Sequence, residues 1–440
     1  MTDLSLALSY ETLSGRMIGL MIAILVVGVV LITAPQFFKS RFSQRIFIFS
    51  IAVRFALMIL SVEGFFNPPS SDFLQFETDA ARIALGLQPL IVTIASSDNF
   101  NAFHAALFYL FGASFYLVDA VGLLGFAASV IALGRLIRLL KLTEFEPWIL
   151  IPFCFLPGSL IYLDYNTREV FQVLFLILMF QGIIQYRITG RIVSLVWATL
   201  YGYLFAITHN RYIVVVPAFI AVGIFLPNLG ARGSTTFRRI LVFPVALILL
   251  LIVNGISNSQ GFLTTVQDTG LVNYVSDSIN VGTALLARTQ FPFVLTATDP
   301  VSFLLALPIM AVQFLFAPIV PFMVTAPVDV FPAIDTLVRI IYLFGTIRLI
   351  RNSAAPPLLR DTAFFLLVSY LVFCGISLLG TINVGTQERH QMKIEWALMV
   401  AGAPVIAAMF SARARASWRF AMRRPSRLGR AFQTVPSRRG

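Results

Sequence analysis

Residues 17–45 read "MIGLMIAILVVGVVLITAPQFFKSRFSQR". The run from Met17 to Ala34 is apolar without a break. As a helix rising about 1.5 Å per residue it covers roughly 27 Å, close to the ~30 Å hydrocarbon core of a bilayer. Lys39, Arg41 and Arg45 then follow within seven residues. An apolar run closed by a basic turn is a membrane span whose basic end faces the cytoplasm. No basic leader or small-residue cleavage site frames the run, so it is expected to be a retained first span with the N-terminus outside.

Working outward, the same alternation recurs along the chain. Of 440 residues 58% are hydrophobic and only 12% charged, against about 25% charged in a soluble domain. Apolar runs near 17–34, 46–62, 117–134, 147–163, 169–186, 192–208, 212–227, 240–256, 333–350, 362–380 and 394–411 predict an all-α, polytopic membrane protein of about eleven transmembrane helices. Residues 1–411 form one transmembrane domain and 412–440 a basic cytoplasmic tail. The segment 301–325, "VSFLLALPIMAVQFLFAPIVPFMVT", is apolar but interrupted by Pro308, Pro318 and Pro321. Proline removes a helical hydrogen bond, so a re-entrant or broken helix is expected there.

The connections "RLIRLLK" (135–141), "YRITGR" (186–191), "ARGSTTFRR" (231–239) and "RLIRN" (348–352) are all basic. Each is assigned to the cytoplasmic side. The outer loops are then 63–116, 257–300 and 381–393. Within the first, "FHAALFYLFG" (103–112) is too short to span and reads as an interfacial helix. The net charge of +12 is concentrated in the basic turns and in a tail with nine arginines and no acid between Arg413 and Arg439. That distribution points to topology and anionic lipid, and away from nucleic acid. The only two cysteines, Cys154 and Cys374, lie in separate apolar runs, which excludes a disulfide framework or a zinc cluster.

Against this topology some charges stand on the unexpected side. Arg168, Arg211, Arg288, Arg389 and Lys393 map to the outer face, as do His104, His209 and His390. Charge at membrane depth is costly and marks function or a specific pairing. Several arginines on one face suit phosphate, which the guanidinium fork binds bidentately. In "QERHQMKIEW" (387–396) Arg389 and Lys393 are four residues apart. On a helix they share a face, where they repel unless an anion lies between them. Glu388 and Glu395 offer local neutralisation as the alternative. On the acidic side, "SSDFLQFETDAAR" (70–82) carries Asp72, Glu77 and Asp79. Asp79 can serve as a general base for an attacking hydroxyl, or simply help Thr78 cap a helix.

Four stretches carry a resemblance. They are "ETDAARIALG" (77–86) followed by "NAFHAALFYLFGASF" (101–115), "FLPGSLIYLDYNTREVFQVLFLILM" (155–179), "HNRYIVVVP" (209–217), and "QERHQMKIEWALMVAGA" (387–403). Together the pattern resembles the GT-C superfamily of polytopic glycosyltransferases, which use polyprenyl-phosphate-linked sugars. A Wzy-like polysaccharide polymerase is the related alternative. The resemblance implies a bacterial inner-membrane enzyme that acts at the periplasmic face, in cell-surface polysaccharide or glycolipid assembly. Arg168, Arg211, Arg389, His390 and Lys393 would bind the lipid phosphate or pyrophosphate. Asp79, with Asp72 and Glu77 as alternates, would activate a glycan or lipid acceptor. The loop acids also admit a divalent metal; no other cofactor is implied. A flippase would use the same cations without a base, but the runs show few charges on the way to the inner face apart from Arg54.

Overall fold

The computed structural model describes residues 10–65, 72–90, 98–163, 168–208, 212–226, 300–318, 330–378 and 384–412. These are helical throughout, without strands. In chain order the helices are α1 (Leu13–Thr33), α2 (Arg41–Val62), α3 (Asp72–Ala84), α4 (Asp98–Phe111), α5 (Phe115–Leu139), α6 (Glu146–Phe155) and α7 (Pro157–Tyr162). They continue as α8 (Arg168–Thr189), α9 (Ile192–Ile207), α10 (Tyr212–Phe225), α11 (Pro300–Phe316), α12 (Val330–Arg351), α13 (Pro357–Leu378) and α14 (Val384–Phe410).

Seven of the described helices are long and apolar enough to cross a membrane: α1, α2, α5, α8, α12, α13 and α14. The multi-pass helical architecture is therefore present, but helix length alone does not yield eleven spans. The predicted spans at 192–208 and 212–227 are the shorter apolar helices α9 and α10. The span at 147–163 is two helices with a break at Leu156, whose extended ψ of 140° precedes Pro157. The span at 240–256, the outer loop up to residue 299, the segment 319–329 and the tail beyond 412 lie outside the described residues.

Local chemistry explains the element ends. The Thr12 hydroxyl caps α1 by accepting from Gly15 N at 3.0 Å, and Ser40 caps α2 by accepting from Ser43 N at 2.9 Å. At the α6–α7 break the helical hydrogen-bond ladder is interrupted. Arg54, wholly buried in α2, donates to Cys154 O and Ser159 O, each at 3.1 Å, and to Ser159 Oγ at 2.9 Å. Its guanidinium also lies 3.7 Å from the ring centre of Phe126. The one charge expected deep in a span thus pins a broken helix.

The basic turns after α1 and α5 meet at one end of the bundle. Arg138 donates to Phe37 O, Arg135 lies over the Phe37 ring, and Trp148 stacks on Phe410 at 6.1 Å. This end joins the α1–α2, α5–α6 and α14 termini, as alternating spans require. Helix α14 is the centre of the bundle and touches α6, α7, α8, α12 and α13. Close approach of α12 and α14 depends on small residues: a Cβ on Gly402 would stand 2.5 Å from Tyr342 O. Outside the seven long helices, α3 and α4 pack on one another through Ala80, Ala81, Ala105 and Phe108. The predicted interfacial run 103–112 is the second half of that pair.

Candidate functional site

The last helix begins earlier than its apolar run suggests. It runs unbroken from Val384, so "QERHQMKIE" is a polar first half of α14 and no loop. Gln387, Glu388, His390, Gln391, Lys393 and Glu395 are all buried, and Arg389 is partly so. At about 100° per residue, Arg389 and Lys393 share one face while Glu388 and Glu395 share another.

The cationic face meets α8 and α10. Arg389 Nε donates to Glu169 Oε1 at 2.6 Å, Lys393 Nζ lies 3.5 Å from the same oxygen, and Arg168 Nε lies 3.9 Å from it. Glu169 sits at the start of α8 and is buried, as is Lys393; the Arg168 and Arg389 side chains retain 12% and 16% exposure. Lys393 also donates to the Tyr212 hydroxyl at 2.6 Å, and that hydroxyl lies 3.2 Å from His390 Nδ1. Three cations therefore surround one carboxylate. The anion that the 389–393 spacing calls for is present, and it comes from another helix.

The acidic face meets α12 and α7. Arg339 donates to Glu388 Oε2 at 2.8 Å and lies 3.4 Å from Glu395 Oε2. Glu388 and Glu395 thus neutralise Arg339 rather than Arg389 and Lys393. One helical turn before Arg339, Asp335 Oδ2 accepts from Gly158 N at 2.5 Å, while its buried Oδ1 has no hydrogen-bond partner among the described residues. Gly158 leaves no room for a side chain, since a Cβ would stand 2.6 Å from Asp335 Oδ2. Beside this face, Gln387 and Gln391 donate to Phe314 O at 2.6 and 2.5 Å, and the Thr336 hydroxyl donates to Ala317 O at 2.8 Å. These bonds satisfy the C-terminal carbonyls of α11, whose apolar run ends against α14.

No family model, curated protein or solved structure matches the chain. The chemistry of the site therefore rests on its geometry.

That geometry ties the acidic helix α3 to the cationic face. The Arg168 guanidinium lies 5.3 Å from the Phe76 ring centre, one residue before Glu77 on α3. Phe76 packs edge-on to Phe100 of α4 at 5.7 Å. Glu77 is buried and Asp79 half-buried on the same helix. Asp72 is the first residue of α3, and Arg211 falls outside the described residues. Glu77 also lines, with Glu11 and Ser114, a cavity of about 10 Å³, room for roughly one water. The three histidines diverge. His390 joins the cationic face, His209 is outside the described residues, and His104 is buried against Phe100 and Phe103 at 4.2 and 5.4 Å. Neither ring nitrogen of His104 has a hydrogen-bond partner, and burial pushes it down to about 3, so the ring is neutral. Among the described residues no three His, Cys, Asp or Glu side chains gather as metal ligands do.

Sequence reasoning placed Arg168, Arg389, His390 and Lys393 together, and the structure brings them together. It assigned no role to Asp335 and Arg339. Asp335 and Arg339 sit in the apolar run 333–350 at helical spacing, a signal as strong as that of Arg54.

Proposed function

We propose that the protein is a membrane glycosyltransferase of GT-C type. It acts at the periplasmic face of a bacterial inner membrane on polyprenyl-phosphate- or pyrophosphate-linked sugars, in cell-surface polysaccharide or glycolipid assembly. The observation that carries this reading is the cluster of Arg168, Arg389 and Lys393 about a single carboxylate, beside the acidic helix α3. Two of its cations, Arg168 and Arg389, keep part of their side chains exposed. A phosphate at the bilayer edge meets these exposed guanidinium groups through charge-assisted hydrogen bonds. The same groups stabilise charge on the phosphate as it departs. Asp79, or its neighbours Asp72 and Glu77, takes the proton of the acceptor hydroxyl. The bond from the anomeric carbon to the phosphate oxygen breaks, and a bond to the acceptor oxygen forms.

The position of the charge favours transfer over transport. Beyond Glu395 the remainder of α14 is apolar, and Arg54 is committed to the α6–α7 break. The test uses the full chain in lipid nanodiscs with labelled polyprenyl-phosphate sugar and candidate acceptors. Asp79→Asn is expected to abolish transfer while lipid binding persists; retained transfer moves the base to Asp72 or Glu77. A strain lacking the protein should accumulate unmodified acceptor. Single repeat units in that strain would assign polymerisation instead, and protein-dependent lipid flipping without a new glycosidic bond would overturn the transferase reading.

A further inference from the structure

Tyr212, the first residue of α10, meets the cationic face at one oxygen atom. The Lys393 ammonium has donors and no acceptor, so at 2.6 Å the phenol oxygen accepts from it. The ring cannot turn away easily. It is stacked on Phe205 at 4.4 Å and lies against Phe373 at 5.8 Å, and Tyr212 is almost fully buried. The phenol carries a single proton, and the neighbouring ammonium repels it. Nδ1 of His390 stands 3.2 Å from the same oxygen and offers a lone pair when the ring is neutral.

We propose that Tyr212 is a positioning residue that fixes the tautomer of His390. It accepts from Lys393, gives its own proton to Nδ1, and so holds the imidazole neutral with its proton on Nε2. The order then runs Glu169 to Lys393 to Tyr212 to His390. A neutral ring adds no fourth positive charge to a face that already carries Arg168, Arg389 and Lys393. The remaining ring N–H donor sits on Nε2 without depending on protonation from solvent. That donor serving a lipid phosphate rests on the reading under Proposed function; the tautomer itself does not.

The experiment is nitrogen-15 NMR of the full chain in nanodiscs with labelled histidine. The His390 signals are assigned by their loss in His390→Gln. At neutral pH the wild type is expected to show a deprotonated Nδ1 and a protonated Nε2. Tyr212→Phe keeps the stacked ring and deletes only the hydroxyl, so its thermal unfolding should stay near wild type while the His390 tautomer shifts or becomes mixed. A wild-type ring protonated on Nδ1, or an unchanged tautomer in Tyr212→Phe, overturns the proposal. In the lipid assay Tyr212→Phe should weaken polyprenyl-phosphate binding about tenfold, the size of one hydrogen bond to an anion. Its kcat/KM profile should gain an inflection near pH ~6.5, where an unconstrained histidine titrates. The expected tautomer together with no phosphate-lipid binding by the wild type supports the positioning role and overturns the transferase reading alone.

Discussion

The two faces of the first half of α14 are mirror images in charge. Toward α8, Arg168, Arg389 and Lys393 surround Glu169. Toward α12, Glu388 and Glu395 bind Arg339, with Asp335 one turn away. Among the described residues these eight groups have as many cations as acids. The difference is access. On the acidic face no side chain of the ion pairs exceeds 6% exposure, whereas Arg168 and Arg389 keep 12% and 16%. A sealed ion network holds helices in register. One that opens at its edge can exchange an internal anion for a ligand. Proximity of charges is common to the two faces; exposure of the charged side chains is what differs.

The largest expected effect breaks the sealed face. Arg339→Leu leaves Glu388 and Glu395 buried without their cation, at a cost of about 3–5 kcal/mol. The check is thermal unfolding in detergent, and a wild-type transition would remove the structural role assigned to this face. Arg389→Ala is the matched change on the open face. Lys393 and Arg168 remain beside Glu169, so the loss of stability should be near ~1.5 kcal/mol. Affinity for polyprenyl phosphate should nevertheless fall about tenfold, ~1.4 kcal/mol. Equal destabilisation by both changes, with lipid binding intact in Arg389→Ala, would erase the distinction.

Acid sharpens the comparison, because His104 gives the chain a pH dependence that belongs to neither face. Its pKa in the fold is held down to about 3 by burial. The unfolded chain binds that proton at about 6.5. Stability from this site is complete above the unfolded value and declines as pH falls below it, by about 2–3 kcal/mol near pH ~4.5. Phenylalanine fills the same aromatic niche beside Phe100 and Phe103, so His104→Phe should flatten denaturation curves measured between pH ~6.5 and ~4.5. Acid sensitivity that persists in this variant belongs to the carboxylates.

Much of this arrangement was legible in the chain, and the omissions have a physical cause. Apolar run length gave the helical membrane class because the bilayer core imposes a single length scale. Spacing placed Arg389 and Lys393 on one face because helical periodicity is local. The partner, Glu169, lies 220 residues away in sequence, and nothing local specifies which distant helix supplies it. Glu388 and Glu395 looked like the natural neutralisers because they are adjacent in sequence, yet adjacency along a helix turns residues away from one another. The last helix starts at Val384 rather than near 394 because buried partners let charged residues occupy a helix that a hydropathy window rejects. Arg54 read as an isolated charge because the broken helix that it closes lies about a hundred residues on.

The smallest effect is expected where an ion pair meets solvent. Arg16 Nη2 and Glu63 Oε1 are 2.7 Å apart, closer than the 2.8 Å of Arg339 and Glu388, but their side chains are 35% and 39% exposed. The same carboxylate accepts from the Tyr116 hydroxyl at 2.5 Å, and these two contacts hold it below the usual glutamate range. A lowered carboxylate pKa stabilises the fold above the unfolded value near ~4.5, and that contribution fades as pH falls. Water already solvates both charges, so little is gained by pairing them. Glu63→Gln keeps an acceptor for Tyr116 and should cost less than ~1 kcal/mol, a cost that added salt shrinks further. The Arg339 network, sealed from ions, should show no such salt dependence. Unfolding of both variants in low and high salt measures this directly. A Glu63→Gln penalty as large as that of Arg339→Leu would mean that ion-pair length, and not burial, sets the strength of these contacts.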